Sequence, residues 1–254
     1  MGAALAVGAS AAGPAARAAE ANGADGQARP HVEYSTGAEA FRHAWSLYSG
    51  VILAPFGSIR EDGLRLRAAG GYGAYSYSGP RAFGPTSRII DFKGTATFAD
   101  LLLGYHKQVG PVTIKIFGGL TAAQHRITPD DPETVIRGPG QGAKAVLESW
   151  WTISDQAWAS LDLSWASLYD SYSARTRLGW RFTPALSAGL EAGASGNVEG
   201  DIARLGVFVR YEWAGGELAV SGGVSNDKLL EDVGNSRAAD ASVPYGTVSW
   251  LTRF

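Results

Sequence analysis

From about residue 33 to the final residue, the chain alternates hydrophobic and polar positions with a period of two, in one short segment after another. Leu64, Leu66, Ala68, Gly70, Tyr72 and Ala74 share one face, and Arg65, Arg67, Tyr75 and Tyr77 the other. Tyr172, Ala174, Thr176, Leu178, Trp180 and Phe182 alternate in the same way with Ser173, Arg175, Arg177, Gly179 and Arg181. At the C-terminus, Gly246, Val248, Trp250, Thr252 and Phe254 oppose Tyr245, Thr247, Ser249, Leu251 and Arg253, and the chain stops on a bare aromatic. Period two marks a strand with two unlike faces. A strand that closes a barrel in the lipid–water interface can end on a bare Phe, whereas a solvated edge strand seldom does.

Turn signals between the segments alternate in length. Gln108–Gly110, Ser154-Asp155, Thr183-Pro184 and Ala214-Gly215 read as tight turns, while Ser78–Asp91, Thr128–Gly140, Gly196–Asp201 and Asn226–Ser242 read as longer connections. Short turns on one rim and long loops on the other are the layout of a transmembrane barrel. Two connections break the rule: Pro55–Asp62 is long on the short side, and the link from Tyr169 to Tyr172 is short on the long side. Eleven strands are plain, near 44–54, 63–77, 94–107, 111–126, 141–153, 156–169, 172–182, 185–196, 202–213, 216–225 and 244–254. Both termini should lie on the short-turn rim, which demands an even count, so Val32–Phe41 is assigned as another strand. The expectation is an all-β, antiparallel up-and-down transmembrane β-barrel of about twelve strands, with about ten or fourteen as alternatives. Aromatics support it. Tyr105, Trp151, Trp180, Phe182, Tyr211, Trp213 and Phe254 gather near the tight turns and Trp45, Tyr169 and Tyr172 near the long loops, as two interfacial girdles would.

Composition refines this picture without changing it. The 254 residues carry a formal net charge of −2, 34 Gly, one Met and no Cys. That leaves no basic footprint for nucleic acid, no disulfide scaffold and no thiolate metal site. No apolar run approaches the roughly 18 residues of a membrane-spanning helix. Residues 1–18 read as a secretory signal peptide ending in the A-x-A pattern Ala16-Arg17-Ala18, although no Lys or Arg precedes the apolar stretch. Residues 19–31 read as a flexible lead-in and 32–254 as the barrel. Export to the outer membrane of a Gram-negative cell follows, as a monomer whose surroundings are outer-membrane lipid.

A charge facing lipid at mid-depth costs roughly 2–4 kcal/mol, so the ionic faces should point into the lumen. The expected lumen network comprises Arg65, Arg67, Asp162, Arg175, Arg177, Arg181, Glu191, Arg204 and Arg210, with the β-strand 172–182 arginines pairing with Asp162 on the strand before and Glu191 on the strand after. Such a network can either plug the barrel or line a hydrated passage. Among the lumen-side aromatics, Tyr75, Tyr77, Trp150 and Trp158 are candidates for stacking on sugar rings, and simple interior packing is the plainer alternative. No catalytic motif, cofactor site or metal site is expected. G-x-S-x-G, H-E-x-x-H and the P-loop are absent, and His106 and His125 fall near opposite ends of adjacent strands. The acidic loop clusters Asp130, Asp131 and Glu133, and Asp227, Glu231 and Asp232, lack the spacing of a calcium cage and read as solvated.

GLRLRAAGGYGAYSYSG (63–79), LLLGYHKQVGPVTIKIFGGL (101–120) and TRLGWRFTPALSAGLEAG (176–193) resemble the alphaproteobacterial cellulose-biosynthesis protein BcsS family. The first segment carries the match best, with an Arg-bearing strand running into Gly-Tyr-Gly and a Tyr-Ser-Tyr end. The resemblance implies an outer-membrane accessory of bacterial cellulose production, in exopolysaccharide and biofilm formation, with cellulose or a periplasmic cellulose-export component as partner. It carries no catalytic set onto these residues. The rival expectations are an outer-membrane enzyme acting on lipid or glucan, and a structural barrel unrelated to cellulose.

Overall fold

A computed structural model describes residues 30–226 and 242–254. The expected signal peptide, all but the end of the lead-in, and the cluster Asp227, Glu231 and Asp232 lie outside the described residues. The strands are β1 (Val32–Ala40), β2 (Ala44–Leu53), β3 (Gly63–Phe83), β4 (Thr86–Val109), β5 (Val112–Thr128), β6 (Gly138–Thr152), β7 (Ala157–Ala166), β8 (Ser171–Arg181), β9 (Leu186–Asn197), β10 (Gly200–Trp213), β11 (Gly216–Ser225) and β12 (Val243–Arg253). Each pairs antiparallel with the next, and β12 returns to β1, closing a barrel of twelve strands in simple up-and-down order. The seam runs from Glu33 opposite Arg253 to Ala40 opposite Gly246. It is locked at its lower end by the amides of His31 and Val32, which donate to the Phe254 carbonyl at 2.7 and 3.0 Å. Closure leaves no edge strand unpaired, as a backbone in lipid requires.

The alternation is realised as read. Leu66, Leu101, Leu103, Ile116, Leu120, Leu178, Leu190, Leu205, Val207 and Val220 are exposed on the outside, while Arg65, Lys115, Glu148, Glu191 and Arg210 are buried within. A soluble protein cannot leave so many large apolar side chains exposed around its whole girth, whereas a lipid-facing belt consists of them. Tyr105, Trp151, Trp180, Phe182, Tyr211, Trp213, Trp250 and Phe254 form the girdle at the tight-turn rim. The opposite girdle holds Trp45, Tyr72, Trp165 and, directly across from Trp165, Tyr172; of the aromatics expected there, Tyr169 departs. Tyr169 belongs to a 3₁₀ turn, Leu168–Asp170, in which Tyr169 (φ 58°) and Asp170 (φ 47°) are left-handed. This reversal swings its ring over the mouth, edge-on to His125 at 5.7 Å.

Two long connections read from sequence are not loops. Residues 78–91 continue the ladder, with β3 and β4 paired from Gly63 opposite His106 to Phe83 opposite Thr86. Only Gly84 and Pro85 turn the chain, and Gly84 supplies a φ of 59°. β2 stops pairing with β3 at Tyr75, and β5 stops pairing with β4 at Lys93, so the hairpin tip rises beyond the barrel wall. With 24 residues, β4 is roughly 80 Å long at about 3.3 Å per residue, far beyond a ~25 Å apolar band. Likewise, residues 196–201 form a tight link through Val198 and Glu199. Glycines and prolines suggested both loops, but the in–out alternation of Tyr75, Tyr77 and Phe92 persists through the first of them.

Candidate functional site: a stoppered lumen

The interior divides by depth. In the tight-turn half, Glu33, Arg65, Arg67, Lys115, Glu148, Asp162, Glu191 and Phe208 are buried, none more than 9 % exposed. Arg67 Nη1 donates to Glu148 Oε1 at 2.7 Å. Lys115 Nζ bridges Glu33 (3.1 Å) and Glu148 (3.8 Å), and Arg253 Nε donates to Glu33 Oε2 at 2.9 Å. Arg175 pairs with Asp162 at 2.9 Å and Arg177 with Glu191 at 2.6 Å, the strand-to-strand partners that the sequence pattern suggests. Arg204 reaches Glu39 and, at 3.9 Å, Glu191. Arg210 holds Glu212 (3.0 Å) and Glu217, and its guanidinium lies 4.6 Å from the Trp150 ring centre. Nearby charges of both signs therefore neutralise one another across the lumen, the condition under which buried ions are tolerated.

Arg65 and Arg181 serve differently. Arg65 donates to the backbone carbonyls of Ser58 (3.2 Å), Ile59 (3.1 Å) and Glu61, and faces His106 Nδ1 at 3.1 Å. It thereby draws the Pro55–Asp62 turn up into the barrel, where Ile59 packs with Ile52, Ala54, Leu102, Phe117 and Val146. Arg181 stays at the rim and donates to the Asp155 carbonyl at 3.2 Å. Trp150 and Trp158 stack at 4.0 Å against Phe208 within this stopper, away from the long-loop mouth. Glycines on neighbouring strands make room for the rings: a Cβ on Gly179 would lie 2.3 Å from the Trp158 indole, and one on Gly94 2.2 Å from the Tyr75 ring.

The long-loop half is open. A small chamber of about 90 Å³ is lined by Ser46, Phe98, His125, Lys144, Tyr169 and Tyr172 among others. Below it, a second space of about 20 Å³, room for about one water molecule, shares Phe98, Lys144 and Ser164 with the first and ends on Arg67 and Asp162. Tyr75, Tyr77 and Phe92 stack beside the mouth. Tyr75 faces His125 Nδ1 at 3.4 Å.

The 129–137 loop lies across this mouth, pinned at two points. Asp131, expected as a solvated acid, is fully buried and accepts from Tyr77 (2.7 Å), Arg81 Nε (2.8 Å) and Arg81 Nη2. Burial opposes its ionisation, but the Arg81 and Tyr77 hydrogen bonds prevail and hold it below the usual aspartate range. On the other side, Glu199 accepts from the Thr134 hydroxyl (2.5 Å) and the amides of Val135 (2.6 Å) and Ile136 (3.0 Å). Burial again works against the charged form and the hydrogen bonds outweigh it, so Glu199 is held below the usual glutamate range. Sequence reasoning missed Glu199, and also Glu33, Glu39 and Glu217 as lumen partners. Their alternation with outward residues on β1 and β11 was the available signal.

A closed antiparallel barrel with an apolar exterior, aromatic girdles and a neutralised ionic interior defines a transmembrane β-barrel of the outer-membrane type. The family model of cellulose biosynthesis protein BcsS matches residues 33–254, and the chain belongs to that family. No curated protein shows significant similarity to it. Among solved structures, a TodX deltaS2S3 mutant monoaromatic hydrocarbon channel is similar over 89 % of this chain and 91 % of its own, with a TM-score of 0.54 and 8 % identity. The translocator domain of the autotransporter NalP from Neisseria meningitidis covers 92 % of this chain and 90 % of its own (TM-score 0.48, 9 % identity). The KdgM porin covers 87 % and 99 % (TM-score 0.46, 11 % identity).

Proposed function

We propose that this protein is a non-enzymatic, non-conducting accessory of cellulose production, seated in the outer membrane with its long-loop rim outward, where it docks glucan. The apolar belt and the girdles support the location. The observation that carries the rest is the asymmetry of the lumen: its tight-turn half is stoppered by ion pairs and the Ile59 turn, and its long-loop half holds a small chamber lined by Phe98, His125 and Tyr169, with Tyr75 and Tyr77 buried behind it. A stoppered barrel offers a chain a place to rest, with no route through. The lumen histidines engage structural partners, His106 the Ile59 carbonyl and Arg65, and His125 the Tyr75 hydroxyl, which supports a role without catalysis.

Co-sedimentation of proteoliposomes with amorphous cellulose tests the docking. Vesicles carrying the protein should be retained, and Tyr169→Ala, at a half-exposed ring that lines the chamber, should weaken retention. Retention no greater than that of empty vesicles would refute it. A second reading, recruitment of a periplasmic export component by the Pro55–Asp62 turn, is favoured by Phe56, which stands 73 % exposed on that rim. A photo-crosslinker at Phe56 should then capture a periplasmic protein in cells making cellulose, and recovery of none would count against it.

A further inference from the structure

The outward face of the barrel carries few charges, and they are unevenly placed. Among the described strand residues that face outward, the cations are Lys93 on β4, Arg126 on β5 and Lys107 on β4 at the tight-turn rim. Lys107 is paired with Asp62 at 2.6 Å. Lys93 and Arg126 are exposed and form no ion pair with any described residue. Lys93 stands opposite Thr128 and Arg126 opposite Thr95, so the two are diagonal neighbours on one face, rooted about 7–8 Å apart. Arg137 directly precedes Gly138, the partner of His125, which brings it level with Arg126 on the adjoining segment. It too is exposed and has no ion pair among the described residues. Three cations this close repel one another unless an anion sits among them. The nearest acid on the same face of β4, Asp91, lies a further step away from the belt and accepts from the Ser78 hydroxyl at 2.6 Å.

Their depth identifies the anion. The girdle pair Trp45 and Tyr72, with ring centres 5.7 Å apart, marks the edge of the apolar band, and Tyr72 pairs with Thr97. On one side of Thr97 the outward residues of β4 are Ala99, Leu101 and Leu103, and on the other Thr95 and Lys93. At about 3.3 Å per residue and a tilt of about 40°, Arg126 lies roughly 5 Å and Lys93 roughly 10 Å past the girdle. A headgroup layer is about 5–7 Å deep on each side of a bilayer. The cations therefore stand at the level of lipid phosphates, on stems long enough to reach back to them. They lie on the membrane-facing wall and not around the mouth, so the anion they meet is that of a neighbouring lipid.

We propose that Lys93, Arg126 and Arg137 form a binding site for the phosphorylated headgroup of an outer-leaflet lipid, whose acyl chains run down the β4–β5 wall over Leu101 and Leu120. This rests on the long-loop rim facing outward, as in the function proposed above, and is independent of glucan docking.

The test is native mass spectrometry of the purified barrel, titrated in detergent micelles with diphosphorylated lipid A and, separately, with lipid A of the same acyl pattern stripped of its phosphates. The diphosphorylated lipid should bind about tenfold or more tightly than the stripped one. Lys93→Gln or Arg126→Gln should weaken its binding about fivefold, and the triple variant that adds Arg137→Gln about a hundredfold, as roughly fivefold per surface cation predicts. Lys107→Gln, at the other rim, should bind as the wild type does. Should the triple variant fail to fold, as judged by loss of heat-modifiable migration, the single variants decide. The proposal is overturned if the phosphates make no difference, if the folded variants bind as tightly as the wild type, or if inorganic phosphate binds as tightly as the lipid. Orientation is read separately, by labelling Glu133→Cys, the sole cysteine of that variant, with a membrane-impermeant maleimide in intact and in lysed cells. Labelling of intact cells without phosphate-dependent lipid binding removes the lipid site and keeps the outward rim. Labelling only after lysis removes the outward rim, and with it the outer-leaflet occupant.

Discussion

At the scale of the residue, the interior is held by acids, among which Glu33, Glu148 and Glu191 each serve more than one cation or donor. Glu191 accepts from Arg177 and also receives Ser221 (3.3 Å) and Tyr245 (3.2 Å), with Arg204 nearby. Glu191→Ala should therefore destabilise the barrel by about 3–5 kcal/mol, because it leaves buried guanidinium unpaired; urea unfolding in detergent micelles measures this. Asp62→Asn, at an exposed rim pair with Lys107, should leave the unfolding midpoint within error. The glycines that face rings give a second expectation. Gly179→Ala should cost about 1–3 kcal/mol and disturb the near-ultraviolet dichroism of the Trp150–Trp158 stack, since its new methyl would collide with Trp158. An unchanged spectrum would show that the stack does not lie on that glycine. Residue identities of this kind were partly legible. Alternation alone places Asp162 and Glu191 on strands flanking Arg175 and Arg177, so those pairs could be named in advance. Glu33 could not be, because its strand was assigned by parity and its facing direction was not read.

At the scale of the element, the 129–137 loop is a cover fastened at each side, to the projecting β3–β4 hairpin through Asp131 and to the β9–β10 link through Glu199. Both carboxyls are lowered in the folded state, so their fastening is complete above the ordinary carboxylate range and is lost as the pH falls below it. For Glu199 that window opens below pH 4.5, the value of a free glutamate. Amide exchange in residues 133–137, corrected for intrinsic rate, should accelerate below that pH, and Glu199→Gln should reproduce part of the acceleration at neutral pH. Exchange that does not depend on pH or on this substitution would show that Glu199 does not hold the loop. The loop itself was visible in the sequence through its prolines and acids. Its fastening was not, because Arg81 and Glu199 are some 50 and 65 residues away from their partners, beyond the reach of local pattern. The hairpin tip was hidden for the opposite reason: Gly79, Pro80, Gly84 and Pro85 suggested an irregular loop, and only Gly84 and Pro85 turn the chain.

At the scale of the whole molecule, the architecture was the most legible part, since the even count, the two rims and the closing C-terminal strand all follow from period-two alternation and turn spacing. Whether the lumen conducts was open at that stage, because an ionic lining serves a plug and a passage equally well. The pairing of those ions, together with the Ile59 turn drawn inward by Arg65, favours the plug. Single-channel recording in planar lipid bilayers tests this most directly. The reconstituted wild-type protein, verified as folded by heat-modifiable migration, should give no stepwise current above the bare bilayer at either polarity, while a porin inserted in parallel conducts. Stable unitary conductance from the wild-type barrel would contradict a stoppered lumen, and with it the reading of this protein as a docking accessory without a passage.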